Sequence, residues 1–174
     1  MKTVLLLRHA KSDWGHPGLA DFDRPLAKRG LQDAPRMGEV LAAYNAVPDQ
    51  IISSTAKRAK ETTNLVAEAC GYRKSIQWAD QFYGATSDDL IAALRGLPNT
   101  VERALLVGHN PTMEETAADL LVTPDENWGN NLSIQMPTAG LVCLDLSIMD
   151  WSTVAPGCAI LRWYLIPRLV KAIV

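Results

Sequence analysis

The stretch Thr3-Val4-Leu5-Leu6-Leu7-Arg8-His9-Ala10 decides how this chain is read. Thr3 to Leu7 is short, apolar and close to the N-terminus, the pattern of a strand buried on both faces of an α/β sheet. Ligands in such sheets gather at the carboxyl ends of the strands, so Arg8 and His9 fall where chemistry is done. A neutral imidazole can attack phosphorus, and a neighbouring guanidinium can grip phosphoryl oxygens through paired hydrogen bonds. The competing reading is a turn histidine that only satisfies nearby backbone groups.

Outward from this strand, helix and strand signals alternate. Lys11 to Ala27 is a long loop rich in Gly, Pro and Asp, and loops of that length are commonly functional or mobile. Gly30 to Tyr44 carries apolar residues at Leu31, Ala34, Met37, Val40 and Leu41, a helical stripe in which Pro35 belongs near the start or makes a kink. Ile51-Ile52 is a short buried strand ending at Ser53-Ser54. Ala56 to Ala69 is a helix closed by Cys70-Gly71. Ser75 to Trp78 is a weak strand and Tyr83-Gly84-Ala85 a turn, after which Thr86 or Ser87 caps a helix through Leu97. Ala104 to Val107 is a strand ending at Gly108-His109-Asn110. Asn110 reads as a cap and Pro111 as the first residue of a helix to Leu121. Pro124 to Pro137 is a polar insertion with Asn-rich turns at Trp128-Gly129-Asn130-Asn131. Gly140 to Leu146 and Ala159 to Ile166 are the closing strands. This alternation predicts an α/β fold around a mostly parallel sheet, built as one domain over residues 1–174.

Composition narrows the function classes. A net charge of −2 gives no support to nucleic-acid binding, which calls for a basic excess. No segment approaches a membrane span, and the apolar run after Lys2 is too short for a secretory core. Cys70, Cys143 and Cys158 show neither metal-ligand nor redox spacing, so reduced thiols and a cytoplasmic location are expected. There is no histidine–carboxylate cluster for a metal and no glycine pattern for a nucleotide, so no metal or cofactor is expected. The apolar Leu169 to Val174 reads as a docking tail or an oligomer contact, and the oligomeric state stays open.

Two further strand ends repeat the opening pattern. The strand to Val107 delivers His109, and Ile51-Ile52 delivers Ser53-Ser54 and then Arg58. If the three strands are neighbours, two histidines, two arginines and a hydroxyl cluster meet at one point. A phosphoryl group carries close to two negative charges and needs several fixed donors as charge shifts in the transition state. Arg8 and Arg58 can supply paired contacts and His109 a further hydrogen bond.

Leu7-Arg8-His9-Ala10, the segment from Ser53 to Thr62, and Val107-Gly108-His109-Asn110 resemble the histidine phosphatase superfamily. Arg8 to Trp14, Asp23-Arg24-Pro25-Leu26 with Arg29-Gly30, Tyr83-Gly84-Ala85, Gly108-His109-Asn110-Pro111, Met136 to Gly140 and the Trp163 to Arg168 ending resemble its short, SixA-type branch of phosphohistidine phosphatases. The resemblance implies a phosphoglycerate mutase-like fold, a three-layer α/β/α sandwich. It also implies that His9 is a nucleophile forming a phosphohistidine intermediate, with Arg8, Arg58 and His109 as the phosphate pocket. Ser12 and Asn110 are candidate further contacts to phosphate. Many members have a glycine where this chain has Ala10, a difference of one methyl.

A second departure concerns the proton donor. Many members place a glutamate where this chain has Gln81-Phe82-Tyr83-Gly84-Ala85. An alkoxide leaving group needs a proton in the transition state, whereas an imidazole, with a conjugate-acid pKa of about 6.5, departs readily. The missing glutamate therefore favours a phosphohistidine or another activated phosphate over a simple sugar phosphate. Asp13 and Asp21 in the long loop are candidate proton donors or water activators. Trp14 and His16 are candidates for the rim, Arg24 for a structural ion pair, and Ser53 for a supporting hydrogen bond. Lys57, Lys60 and Glu61 read as a solvated helix face. The expected partner is a phosphorylated protein or a small phosphorylated substrate, with no nucleic acid and no membrane. The alternatives are a small-molecule phosphomonoesterase or mutase-like enzyme, and a non-catalytic phosphate-binding module.

Overall fold

The computed structural model describes residues 1–121 and 134–173. Along the chain run β1 (Lys2–Arg8), α1 (Lys28–Ala43), β2 (Gln50–Ser54), α2 (Lys57–Cys70), β3 (Gln77–Ala79), α3 (Ser87–Arg95), β4 (Arg103–Gly108), α4 (Thr112–Leu121), β5 (Leu141–Leu146), β6 (Ala159–Leu165) and α5 (Pro167–Ile173). The sheet order is β3-β2-β4-β1-β5-β6, parallel from β3 through β1 and antiparallel at β1–β5 and β5–β6.

The apolar runs are buried because they alternate between two cores. Leu5 and Leu7 of β1, Ile51 of β2, and Leu105 and Val107 of β4 pack under α1, α2 and α5. Val4, Leu6, Ile52 and Leu106 point the other way, toward α3 and α4. The result is a three-layer α/β/α sandwich. α1 leaves β1 toward one face and α4 leaves β4 toward the other, although the two strands are neighbours. A crevice opens at their carboxyl ends, where open α/β sheets bind ligands.

Several boundaries differ from the sequence expectation. α1 begins at Lys28, so Pro35 lies about two turns inside it, and Leu31, expected in the apolar stripe, is exposed. No side chain caps this start at Ala27. The entry is made instead by a backbone bond from Ala27 N–H to the Lys11 carbonyl at 2.8 Å. Gly30 sits against that same carbonyl, where a Cβ would collide. α4 begins at Thr112, one residue after Pro111. The weak strand falls on Gln77–Ala79, and α3 stops at Arg95, with Thr86 and Asp89 forming a reciprocal cap. β6 is a sheet edge whose Ile160 and Leu161 stay exposed. The C-terminal apolar segment docks within the chain through buried Val170 against the α1 layer. Trp128-Gly129-Asn130-Asn131, expected as Asn-rich turns, lies outside the described residues.

The long loop is tied down at both ends. Ser12 and Leu26 form a β-bridge, and Asp13 N–H donates to the Pro25 carbonyl at 2.8 Å. Glu61, expected on a solvated face, instead accepts the Leu26 N–H at 2.6 Å. Arg24 stacks 4.0 Å above Trp14 and pairs with Asp21. No helix among the described residues is long and apolar enough to cross a membrane.

Candidate active site

Three strand ends build the site. Arg8 closes β1, with His9 just beyond it, His109 follows the end of β4, and Arg58 is the second residue of α2. The rings of His9 and His109 stand 5.0 Å apart. With Lys11, Ser12, Trp14, Asp21, Asn110 and Thr138, these four residues line a cavity of about 260 Å³. A larger hollow of about 640 Å³ adjoins it across Arg8, but that hollow contains neither histidine and has a carboxylate, Glu114, in its wall. The smaller cavity gathers both histidines and both arginines.

The hydrogen bonds select one tautomer of His9. Its Nδ1 lies 2.8 Å from the Ala10 carbonyl oxygen, which can only accept, so Nδ1 carries the proton. Nε2 accepts the Nε–H of Arg58 at 3.2 Å and is therefore the unprotonated nitrogen of the ring. Burial pushes the His9 pKa down to about 3; the Ala10 hydrogen bond opposes this, while His109, Arg58 and Arg8 add to it. The ring is neutral over the ordinary pH range, as a nucleophile requires.

His109 is held through Nε2 by the Ser54 hydroxyl at 2.9 Å, and its buried Nδ1 has no partner among the described residues. If the hydroxyl donates, Nδ1 bears a hydrogen that can be given to an anion. Burial first, then the charge of Arg58, lowers its pKa to about 4. Arg8 donates from Nη1 to the Met136 carbonyl at 2.7 Å, and its buried Nε is likewise unpartnered. Unmatched buried donors beside a cavity fit an oxyanion. Arg58 also donates from Nη1 to the Asp21 backbone oxygen and from Nη2 to its carboxylate at 2.9 Å.

The two loop aspartates separate. Asp21 reaches the cavity, where Tyr83 donates to its carboxylate at 3.0 Å. Burial would raise its pKa, but the bonds from Tyr83 and Arg58 outweigh that and lower it. Asp21 is thus a carboxylate and not a ready proton donor. Asp13 does not line the cavity; it accepts the Gly15 N–H at 2.8 Å and pairs with His16 at 3.3 Å, the bonds of a turn residue. Trp14 is in the cavity wall and His16 is not. Ser12 is in the wall and mostly buried. Asn110 lines the cavity but does not cap α4: its amide donates to Glu114 at 2.7 Å and to the Met136 carbonyl at 2.9 Å.

Ser53 was expected to support the site, but it faces α2 and bonds to Thr63 at 2.7 Å. Ser54 has that place. Strand parity could have separated them, since Ser53 shares the face of Ile51 and Ser54 that of Ile52. Tyr83, expected only as a turn, packs edge-on against His109 at 5.5 Å. Tyr83, Lys11 and Thr138 fall within segments that carry the family resemblance, but the sequence assigns no role to any of them. Among the described residues no group of three or more His, Cys, Asp or Glu could hold a metal.

The two depressed histidine pKa values have a consequence for stability. Between the native values and about 6.5 the unfolded chain binds more protons than the folded one, so stability falls as pH drops through that window. Urea unfolding at a series of pH values should show this acid loss, and His9→Gln should make it shallower. An unchanged slope would contradict the burial of a neutral His9.

Comparison with known proteins gives four convergent matches. Residues 4–84 match the histidine phosphatase superfamily (branch 1). An uncharacterised protein of Mycobacterium tuberculosis is 34% identical over 164 residues, covering 93% of this chain and 100% of the relative. A structure assigned to the phosphohistidine phosphatase SixA of Agrobacterium tumefaciens superimposes with a TM-score of 0.79 at 33% identity, over 95% of this chain and 98% of that one. One assigned to SixA of Nakamurella multipartitia gives 0.81 at 25% identity, over 95% and 96%.

Proposed function

Since the chain belongs to the histidine phosphatase superfamily, in a SixA-like form, we propose that it is a phosphatase acting through a phospho-His9 intermediate on phosphohistidine borne by a protein. The observation that carries this reading is the state of His9: a buried neutral imidazole with Nε2 unprotonated, in the wall of a cavity that also holds Arg8, Arg58 and His109.

In the first step the Nε–H of Arg58 turns from His9 Nε2 to a phosphoryl oxygen, the freed Nε2 lone pair attacks phosphorus, and the bond to the leaving group breaks, its electron pair going to the departing atom. Arg8, Arg58 and the Nδ1–H of His109 bind the equatorial oxygens as their charge shifts. A departing imidazole that already carries a proton on its other nitrogen leaves neutral and needs no acid from the protein. In the second step water attacks phosphorus and gives one proton to the Asp21 carboxylate, while the P–Nε2 bond breaks, its electron pair returning to Nε2, and phosphate is released. His9 returns to its neutral form, and no cofactor enters either step.

The missing acid sets the substrate class. Asp21 is the carboxylate in the cavity wall, and its bonds from Arg58 and Tyr83 keep it ionised. An enzyme so equipped should cleave phosphoramidates much faster than unactivated phosphomonoesters, by on the order of a hundredfold or more in kcat/KM. The test compares a phosphohistidine protein, p-nitrophenyl phosphate and a sugar phosphate across pH. Equal rates on the first and last, with an ordinary general-acid limb, would favour the phosphomonoesterase or mutase-like reading. No turnover of any of them would favour a binding module.

A further inference from the structure

A second hollow, of about 430 Å³, lies on the far side of Thr138 from the phosphate cavity. Thr138 stands in the wall of both, and Arg29 of α1 donates to its hydroxyl at 3.2 Å. Four cationic side chains surround the hollow: Arg29 and Arg36 from α1, and Arg168 and Lys171 from α5. One carboxylate faces them. Asp33 is mostly buried and is already paired with Arg29 at 3.6 Å and Arg36 at 3.2 Å. Four cations against one carboxylate leave a surplus of three positive charges on a chain whose net charge is −2.

This is a local field of sign opposite to that of the whole molecule, placed at the mouth of the reactive cavity. Such a field draws in and orients an anionic partner. The hollow is too large for one phosphate, and its cations sit on two helices. Pro137, Ile166 and Pro167 line it between them, a surface suited to backbone and side-chain methylenes. A substrate whose phosphoryl group occupies the cavity would pass its neighbouring atoms over Thr138 into this basic groove.

We infer that the groove receives an acidic polypeptide segment flanking the phosphorylated side chain; the inference rests on the phosphatase reading above. The ligand chemistry is a run of Glu or Asp carboxylates within a few residues of the phosphohistidine. Arg168 and Lys171 are exposed and lie outside the catalytic cavity, so replacing them leaves the reactive groups in place.

The experiment compares two phosphohistidine peptides, one flanked by glutamates and one by glutamines, with p-nitrophenyl phosphate as a substrate too small to reach the groove. Wild type should prefer the glutamate peptide by about tenfold in kcat/KM, through KM, and lose that preference as salt rises. Arg168→Ala combined with Lys171→Ala should erase the preference and leave p-nitrophenyl phosphate turnover unchanged. Equal rates on the two peptides, or a preference that survives in the double variant, overturns the inference. A wild type inactive on all three substrates overturns the phosphatase reading instead. The groove is then judged by fluorescence anisotropy with labelled, unphosphorylated peptides, where a glutamate preference lost in the double variant supports it and equal binding overturns it.

Discussion

The His9→Ala variant should lose hydrolysis of every phosphoryl substrate, by on the order of 10⁴-fold or more in kcat. No other group can replace Nε2. His109, the neighbouring imidazole, is turned through its own Nε2 onto Ser54, and the Asp21 carboxylate is engaged by Arg58 and Tyr83. Substrate binding should survive, because Arg8, Arg58 and His109 remain. The variant should therefore still bind phosphate or a slow substrate, as read by calorimetry, while turnover is gone. Its fold should persist, since the substitution removes an imidazole held by two hydrogen bonds and leaves the strand register of β1 untouched. Substantial residual turnover in a folded His9→Ala protein would mean that the phosphoryl group never resides on His9.

Arg58→Ala should have the next largest effect, a fall in kcat/KM of about 10³-fold. Arg58 touches two parts of the site at once: its Nε–H steadies His9 Nε2, and its two terminal nitrogens hold the loop at Asp21. Its side chain is only 9% exposed, so a contact with a phosphoryl oxygen in the proposed mechanism would be made away from water, where it is strongest. Arg58→Lys keeps the charge but loses the planar fork, and should recover little of the activity. Asp21→Asn gives the contrast. It keeps acceptors for Tyr83 and Arg58 but removes the base for the second step, so a smaller loss, about tenfold to a hundredfold, is expected. A loss in Arg58→Ala no larger than that in Asp21→Asn would contradict a direct role for Arg58 at the phosphoryl group.

Both variants bear on how far the sequence carries the argument. The strand ends at Arg8-His9 and Gly108-His109 were legible because an apolar run long enough to be a buried strand stops abruptly at a charged or polar group. Sheet order could not be read directly. That the three strands are neighbours entered only as a condition for bringing Arg58 to His9, and the observed order β2-β4-β1 meets it. What local pattern missed depends on distant contacts. Glu61 has the sequence surroundings of a solvated helix face, but the loop from Lys11 folds back and presents Leu26 N–H to it. Asn110 stands where a cap is expected, and its amide turns to Met136 and Glu114 instead. The start of α1 has no capping side chain at all, because a backbone bond to Lys11 does that work. Tyr83, just before the turn at Gly84 with its φ of 84°, reaches the site through a contact with His109 that lies 26 residues further along the chain.

The central claim is the covalent step, and one measurement addresses it most directly. Wild-type protein is mixed with a phosphohistidine substrate labelled on phosphorus, quenched in alkali within milliseconds, digested, and the labelled peptide sequenced. The account predicts an acid-labile, alkali-stable phosphate on the peptide containing His9, formed in a burst, lost at the steady-state rate, and absent from His9→Ala. Turnover with no label on His9 at any time, or label on another residue, would contradict it.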